Sequence, residues 1–314
     1  MASPFRIPVA CRRPALLQAA APLALLLVAQ LALPLALPPR AAHAQPAATA
    51  PFPDTARGPT RGTLVIAGGG NLDGSGIPEA FIAAAGGPAA KIVIVPTAGG
   101  NRGRDGAPIA YADSAVLAPW RARGLANVHL LHTHDPKVAD TEAFAAVLAD
   151  ATGVWFNGGR QWNLVDSYGG TRTERAFHAV LARGGVIGGS SAGASIQGDL
   201  LVRGAVAGAQ LMIAPEPEHF RGFNFLRGAA IDQHINTRNR WNDLQEVLAR
   251  YPALLGIGIS EATAIVVRGD AFEVIGKAQV AVHDARAPQQ ANGKGYRVLE
   301  AGARYDLAGR RLLP

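Results

Sequence analysis

The sequence predicts an α/β protein with a doubly wound, mostly parallel sheet and a C-terminal antiparallel extension. Short runs rich in β-branched residues alternate with stretches of helical apolar spacing, the pattern of strands joined by crossover helices. From Thr263 the alternation gives way to short strands separated by polar turns. Setting aside residues 1–61 leaves about 250, enough for one large domain at 62–314.

The elements follow in order. Thr63-Leu64-Val65-Ile66 is apolar almost throughout, as a strand covered on both faces must be. Gly68-Gly69-Gly70-Asn71 then turns the chain. This run fails the dinucleotide spacing because Asp73 stands where the third glycine belongs, so it predicts a tight β-to-α turn at the sheet's carboxyl edge and no nucleotide. Lys91-Ile92-Val93-Ile94-Val95, Val128-His129-Leu130-Leu131, Val154-Trp155-Phe156 and Val186-Ile187 continue the strands, with helices expected over 77–85, 141–149 and 173–183. Strand-like runs at 264–267, 272–275 and 280–283 form the expected extension, and no internal repeat is evident.

Residues 1–44 have the form of a cleaved export signal. Arg6, Arg12 and Arg13 precede a long apolar stretch at 15–37, and Ala42-His43-Ala44 supplies a small-residue site before Gln45. A membrane anchor is the competing reading, but Pro22, Pro34 and Pro38 interrupt the stretch. A periplasmic or extracellular location is expected, with no stable anchor after cleavage. Arg12-Arg13 hints at twin-arginine export without deciding the route. Residues 45–61, rich in Pro, Ala and Thr, predict a flexible linker. Cys11, the only cysteine, leaves with the signal, which excludes thiolate chemistry and Cys-based zinc sites. Arg6, Arg12, Arg13 and Arg40 leave with no acid, so the net charge of +7 falls by four to +3. That balance is too mild to imply nucleic acid as a partner.

The chemistry centres on Gly188-Gly189-Ser190-Ser191-Ala192-Gly193-Ala194. Gly189, Ser191 and Gly193 satisfy G-x-S-x-G, where a strand turns sharply into a helix and lifts one hydroxyl off the sheet edge. A serine needs a base, and the base needs an orienting group. Ile231-Asp232-Gln233-His234 offers a histidine at a strand end, and Gly258-Ile259-Ser260-Glu261-Ala262 offers a carboxylate between two β-rich runs. The order Ser, His, Glu departs from the Ser, acid, His order of α/β-hydrolases. Two other readings stay open on the residues alone: a carboxylesterase of the α/β-hydrolase type with His283 as base, and a non-catalytic binding protein that keeps the pocket.

These segments, together with Phe156-Asn157-Gly158-Gly159-Arg160-Gln161, resemble the cyanophycinase-like serine exopeptidases of peptidase family S51, which also holds the aspartyl dipeptidase peptidase E. The likeness runs from about residue 62 to residue 284. It implies a class I glutamine-amidotransferase-like fold, with Ser191 as nucleophile, His234 as general base and Glu261 as the orienting acid. Ala192 N–H follows the nucleophile and is expected to supply half the oxyanion hole. The resemblance adds an N–H from Gly158 or Gly159 as the second donor. By charge pattern alone Arg238 and Arg240 are surface arginines at a helix start; the resemblance makes them carboxylate-binding residues, and adds Gln161, Asp232 and Gln233 to the substrate pocket. Two positions depart from the family pattern. Asp243 stands where cyanophycin-cleaving members usually carry a third arginine, and Arg160 where the loop is often acidic.

The expected substrate is a peptide with an aspartyl linkage, most of all a β-aspartyl one, with an α-Asp-X dipeptide as the alternative. No metal and no organic cofactor is expected. His129, His132 and His134 cluster without a ligand pattern and predict solvated loop histidines. His178, His219 and His283 have no motif around them. A homodimer is compatible with the sequence.

Overall fold

The computed structural model describes residues 52–103, 106–107, 109–287 and 293–314. The segment expected to be an export signal and the start of the expected linker lie outside the described residues. Among the described residues the strands are β1 Thr63–Ala67, β2 Ile92–Val95, β3 Val128–Leu130, β4 Gly153–Phe156, β5 Val186–Ser190, β6 Ala229–Gln233, β7 Leu255–Ile259, β8 Thr263–Arg268, β9 Ala271–Gly276, β10 Val280–Asp284, β11 Arg297–Leu299, β12 Arg304–Asp306 and β13 Arg311–Leu313. The α-helices are α1 Ile77–Ala84, α2 Asp113–Arg121, α3 Pro136–Ala139, α4 Glu142–Ala145, α5 Trp162–Tyr168, α6 Arg172–Ala182, α7 Ala192–Ser195 and α8 Leu244–Arg250.

Nine strands form the main sheet in the order β13-β12-β9-β8-β1-β5-β4-β2-β3. Its β1, β5, β4, β2 and β3 run parallel, and β8, β9, β12 and β13 extend it antiparallel beyond β1. The mostly parallel sheet with an antiparallel extension is thus as expected. Strand alternation divides the core in two. Leu64, Ile66, Val93, Val95, Val154 and Phe156 point to one face, with Phe177 and Val180 of α6. Val65, Ala67, Ile92, Ile94 and Trp155 point to the other, with Phe81 of α1 and Trp120 of α2. Full burial of each Val, Leu, Ile or Phe side chain among them contributes about 1.5–3 kcal/mol. Helix α6 starts where Thr171 accepts the Glu174 N–H and the Glu174 carboxylate accepts the Gly170 N–H, a variant of the capping box.

Three expectations are corrected. A second sheet, β11-β10-β7-β6, stands beside the first, and β10 joins it rather than the extension, pairing antiparallel with β7. The helix expected over 141–149 is only α4, continued as a tighter 3-10 turn at Ala146–Leu148. The linker is packed from Phe52 onward: Phe52 lies 5.4 Å from the Phe220 ring and 5.2 Å from Tyr251, Ala56 is fully buried, and Arg57 pairs through its backbone with Arg227 and through its side chain with Asp270. A proline- and alanine-rich composition suggested flexibility, but one aromatic anchor and a bridge order this stretch. Among the described residues no helix is long and apolar enough to cross a membrane.

Candidate active site

The site forms where β1, β5 and β4 end at their carboxyl edge, beside the ends of β6 and β7, the usual place for a cleft in an open α/β sheet. Strand β5 delivers Ser191 into α7 with φ 59° and ψ −114°, a strained conformation for a residue with a side chain. The flanking glycines are sterically required. A Cβ on Gly189 would lie 2.2 Å from the Gly193 carbonyl oxygen, and one on Gly193 would lie 2.1 Å from that of Phe156.

The glycine turn after β1 holds the other two groups. Gly68 N–H donates to Thr263 O at 2.9 Å, and Gly68 O accepts from His234 N–H at 2.9 Å. Gly69 O accepts from Ala262 N–H at 2.9 Å, while Ser191 N–H donates to Ala67 O at 3.0 Å. His234 and Ala262 both sit at positive φ, 57° and 53°, so the chain doubles back sharply at each strand end. Gly69 takes φ 109°, and a Cβ there would lie 2.2 Å from His234 Cε1; one on Gly70 would lie 2.7 Å from Glu261 Oε2. What the sequence presented as an ordinary tight turn is the bed for the imidazole and the carboxylate.

The three expected side chains form a continuous hydrogen-bonded row. Ser191 Oγ lies 2.8 Å from His234 Nε2, and His234 Nδ1 lies 2.5 Å from Glu261 Oε1. The carboxylate fixes the tautomer: Nδ1–H donates to it, which leaves Nε2 to accept the serine proton. Glu261 Oε1 also accepts from Thr237 Oγ1 at 2.9 Å, and Asn236 Oδ1 accepts the Glu261 N–H at 2.9 Å. Burial moves His234 below the usual imidazole range; the hydrogen bond to Glu261 pulls upward, and Arg238 and Arg240 push further down. Burial raises Glu261, but the hydrogen bonds from His234 and Thr237, with the charge of Arg238, outweigh it and hold the group below its ordinary value. The imidazole is therefore neutral and the carboxylate ionised at neutral pH.

Gly158 and Gly159 are exposed across from the serine. A Cβ on Gly158 would come within 3.2 Å of Ser191 Cβ. Gly159 takes φ 149° and packs so tightly that a Cβ would lie 2.1 Å from Ala98 O. Ala192 is buried directly after the serine at the start of α7.

The expected substrate-binding residues divide. Arg238 is exposed and Arg240 half-buried, both on a turn before α8 rather than on a helix start. Arg240 Nη1 donates to Gln233 O at 3.3 Å and weakly to Gln233 Oε1 at 3.4 Å. Asp232 is corrected: its carboxylate is 0 % exposed and gripped at both oxygens by Arg203, so it does not face a substrate. Gln161 is likewise buried, its amide donating to Val202 O at 2.6 Å. Asp243 joins the same guanidinium at 2.5 Å. Arg160 lies over the Trp162 ring, 5.4 Å from its centroid. Arg203 was missed because its partners stand 29 and 40 residues away.

The remaining histidines fall elsewhere. His283 is buried on β10 against Tyr296, its pKa pushed down to about 4 chiefly by burial. The serine's partner is His234, so nothing in the arrangement supports His283 as a base. His132 and His134 are half-buried rather than solvated, in an edge-to-face row with Tyr111 at 4.4 and 4.9 Å. Among the described residues no group of three or more His, Cys, Asp or Glu is placed to hold a metal.

A family model described as peptidase family S51 matches residues 64–275. The cyanophycinase of Synechococcus elongatus is 30 % identical over 252 residues, 78 % of this chain and 75 % of that protein. The cyanophycinase of Geminocystis herdmanii is 28 % identical over 236 residues, 74 % and 84 % of the two chains. A crystal structure of a peptidase from an acI-B1 Actinobacterium superposes with a TM-score of 0.58 at 22 % identity, covering 79 % of this chain and 98 % of its own, and shares the fold. The class I glutamine-amidotransferase-like architecture is thus shown, and with the matched span covering most of the described chain, this protein belongs to peptidase family S51.

Proposed function

We propose that this peptidase is an exported serine exopeptidase or isopeptidase that cleaves β-aspartyl links, of the cyanophycin type or in small β-Asp-X peptides. The unbroken row from Ser191 through His234 to Glu261 carries the reading. Ser191 Oγ attacks the aspartyl carbonyl as His234 Nε2 takes its proton. Glu261 holds Nδ1–H and stabilises the imidazolium that results. The tetrahedral oxyanion is received by the N–H groups of Ala192 and Gly159, each worth about 3 kcal/mol of transition-state stabilisation. His234 then gives its proton to the leaving amine, and water completes the cycle through the same base.

A β-linked aspartate keeps a free α-carboxylate beside the scissile carbonyl, and Arg240, with Arg238 at the rim, offers the donors for it. An α-linked peptide presents its charges elsewhere and leaves those donors partly unpaired, which sites built on polar pairing penalise strongly. Cyanophycinase relatives support an aspartyl substrate. Asp243, where a third arginine is usual, favours short substrates over long cyanophycin chains.

The test is a panel of α- and β-aspartyl peptides plus cyanophycin, run beside fluorophosphonate labelling. We expect labelling at Ser191 and faster cleavage of β-Asp-X than of α-Asp-X. A clear α-Asp-X preference moves the protein to the dipeptidase side of the family, and an unlabelled, inactive protein leaves only a binding role.

The pH profile follows from His234. The neutral imidazole is the competent base, and protonation as pH falls removes it. Because the folded pKa lies below the ordinary 6.5, the acid limb of kcat/KM should fall below pH 6.5. A limb above that pH would contradict the assignment of His234.

A further inference from the structure

Arg203 belongs to no motif, yet its guanidinium is the centre of a buried ionic cluster. Nε and Nη2 donate to the two oxygens of Asp232 at 2.9 Å each, Nη2 reaches Asp243 Oδ2 at 2.5 Å, and Nη1 donates to Ala209 O at 2.6 Å. The side chain is 3 % exposed, and four of its five N–H donors are spent on protein, so it is held as part of the scaffold. Its influence passes through Asp232. That carboxylate also accepts the Gln233 N–H at 2.9 Å and stands 3.7 Å from Arg240 Nη1. One residue upstream, Val202 O receives the Gln161 amide, so the same short stretch ties down the loop that carries Gly158 and Gly159. The cluster also balances charge: Asp232 and Asp243 offset Arg203 and Arg240, which allows guanidinium groups to sit so close together.

We infer that Arg203 is the positioning residue of the substrate pocket, holding Gln233 and Arg240, through Asp232, in the arrangement that reads the substrate's free carboxylate. The inference rests on the substrate reading proposed above. A planar fork is required, since one carboxylate is gripped at both oxygens while a second is held from the side. Lysine keeps the charge but reaches only one of these points at a time.

The decisive variant is Arg203→Lys, assayed on a β-Asp-Arg dipeptide for KM and kcat, with the fluorophosphonate labelling rate as an independent report on Ser191. We expect KM to rise about tenfold or more, with kcat within about threefold and labelling unchanged, the signature of lost substrate binding with the nucleophile intact. Should Arg203→Lys fail to fold, the isosteric Asp232→Asn enters the same cluster from the other side and should give the same KM phenotype. Where both fold, the double variant should be no worse than the more damaged single one, because residues acting as one unit are not additive. An unchanged KM in an active protein overturns the inference, as does a fall in kcat and labelling at constant KM. A wild-type protein that cleaves none of the β-aspartyl peptides removes the substrate reading and this inference together.

Discussion

Alanine at Ser191 is expected to lower kcat by about a million-fold without unfolding the protein, because members of such a row act as a unit and losing the nucleophile leaves only binding and the oxyanion donors. Alanine removes one oxygen from a side chain whose backbone supplies the elbow, and it relieves no clash. His234→Ala should fall nearly as far. Glu261→Gln should hurt less, since an amide still fills the place beside Nδ1 and Thr237 but cannot stabilise the imidazolium. Steady-state rates on a β-aspartyl peptide, beside thermal melts, measure this. Near-normal turnover in Ser191→Ala would remove the catalytic assignment altogether.

Gly69→Ala is expected to cost at least about a hundredfold although it deletes no functional group. The added methyl would lie 2.2 Å from His234 Cε1 and 2.7 Å from Nε2, far inside contact distance, and the backbone there has φ 109°. Two strains therefore act together: a conformation that side chains rarely adopt, and a ring with nowhere to retreat, since Gly68 O fixes its backbone and Glu261 its far nitrogen. The imidazole must swing away from Ser191, and a displacement of about 1 Å at such a point costs about a hundredfold in rate. We expect kcat/KM to drop by at least that much and fluorophosphonate labelling to slow in step. A variant that keeps wild-type labelling would show that the turn can relax, and that the close approach of Gly69 has no catalytic consequence.

The parts of this molecule that could be read from sequence are those whose cause is local. The elbow is legible because Gly189 answers to a clash with Gly193, four residues on, and the parallel strands because burial on both faces writes an unbroken apolar run. His234 and Glu261 could be found because each ends such a run. Other features answer to distant partners. Helix α2 buries only Leu117 and Trp120 and carries Pro119 inside it, so it shows little helical pattern. Strand β10 has the same alternation whichever sheet it joins; its register against β7 decides, and periodicity does not record register. The resemblance put Asp232 in the substrate pocket, and nothing near it in sequence points to Arg203, 29 residues earlier, as its partner. Buried charge signals a partner and does not say whether that partner is a ligand or another side chain.

The packed stretch around Phe52 bears on the order in which the molecule is built. Phe220, Arg227, Tyr251 and Asp270, which this stretch meets, are all synthesised after it, and the Arg57–Asp270 pair closes a span of 213 residues. The entropy cost of such a closure grows with the logarithm of loop length, and contacts formed only within the first strands do nothing to offset it. The earliest of the described residues to be made therefore cannot complete their contacts until Asp270 has been added, and the amino-terminal end stays undocked while the nucleophile elbow and the parallel strands before it are already complete in sequence.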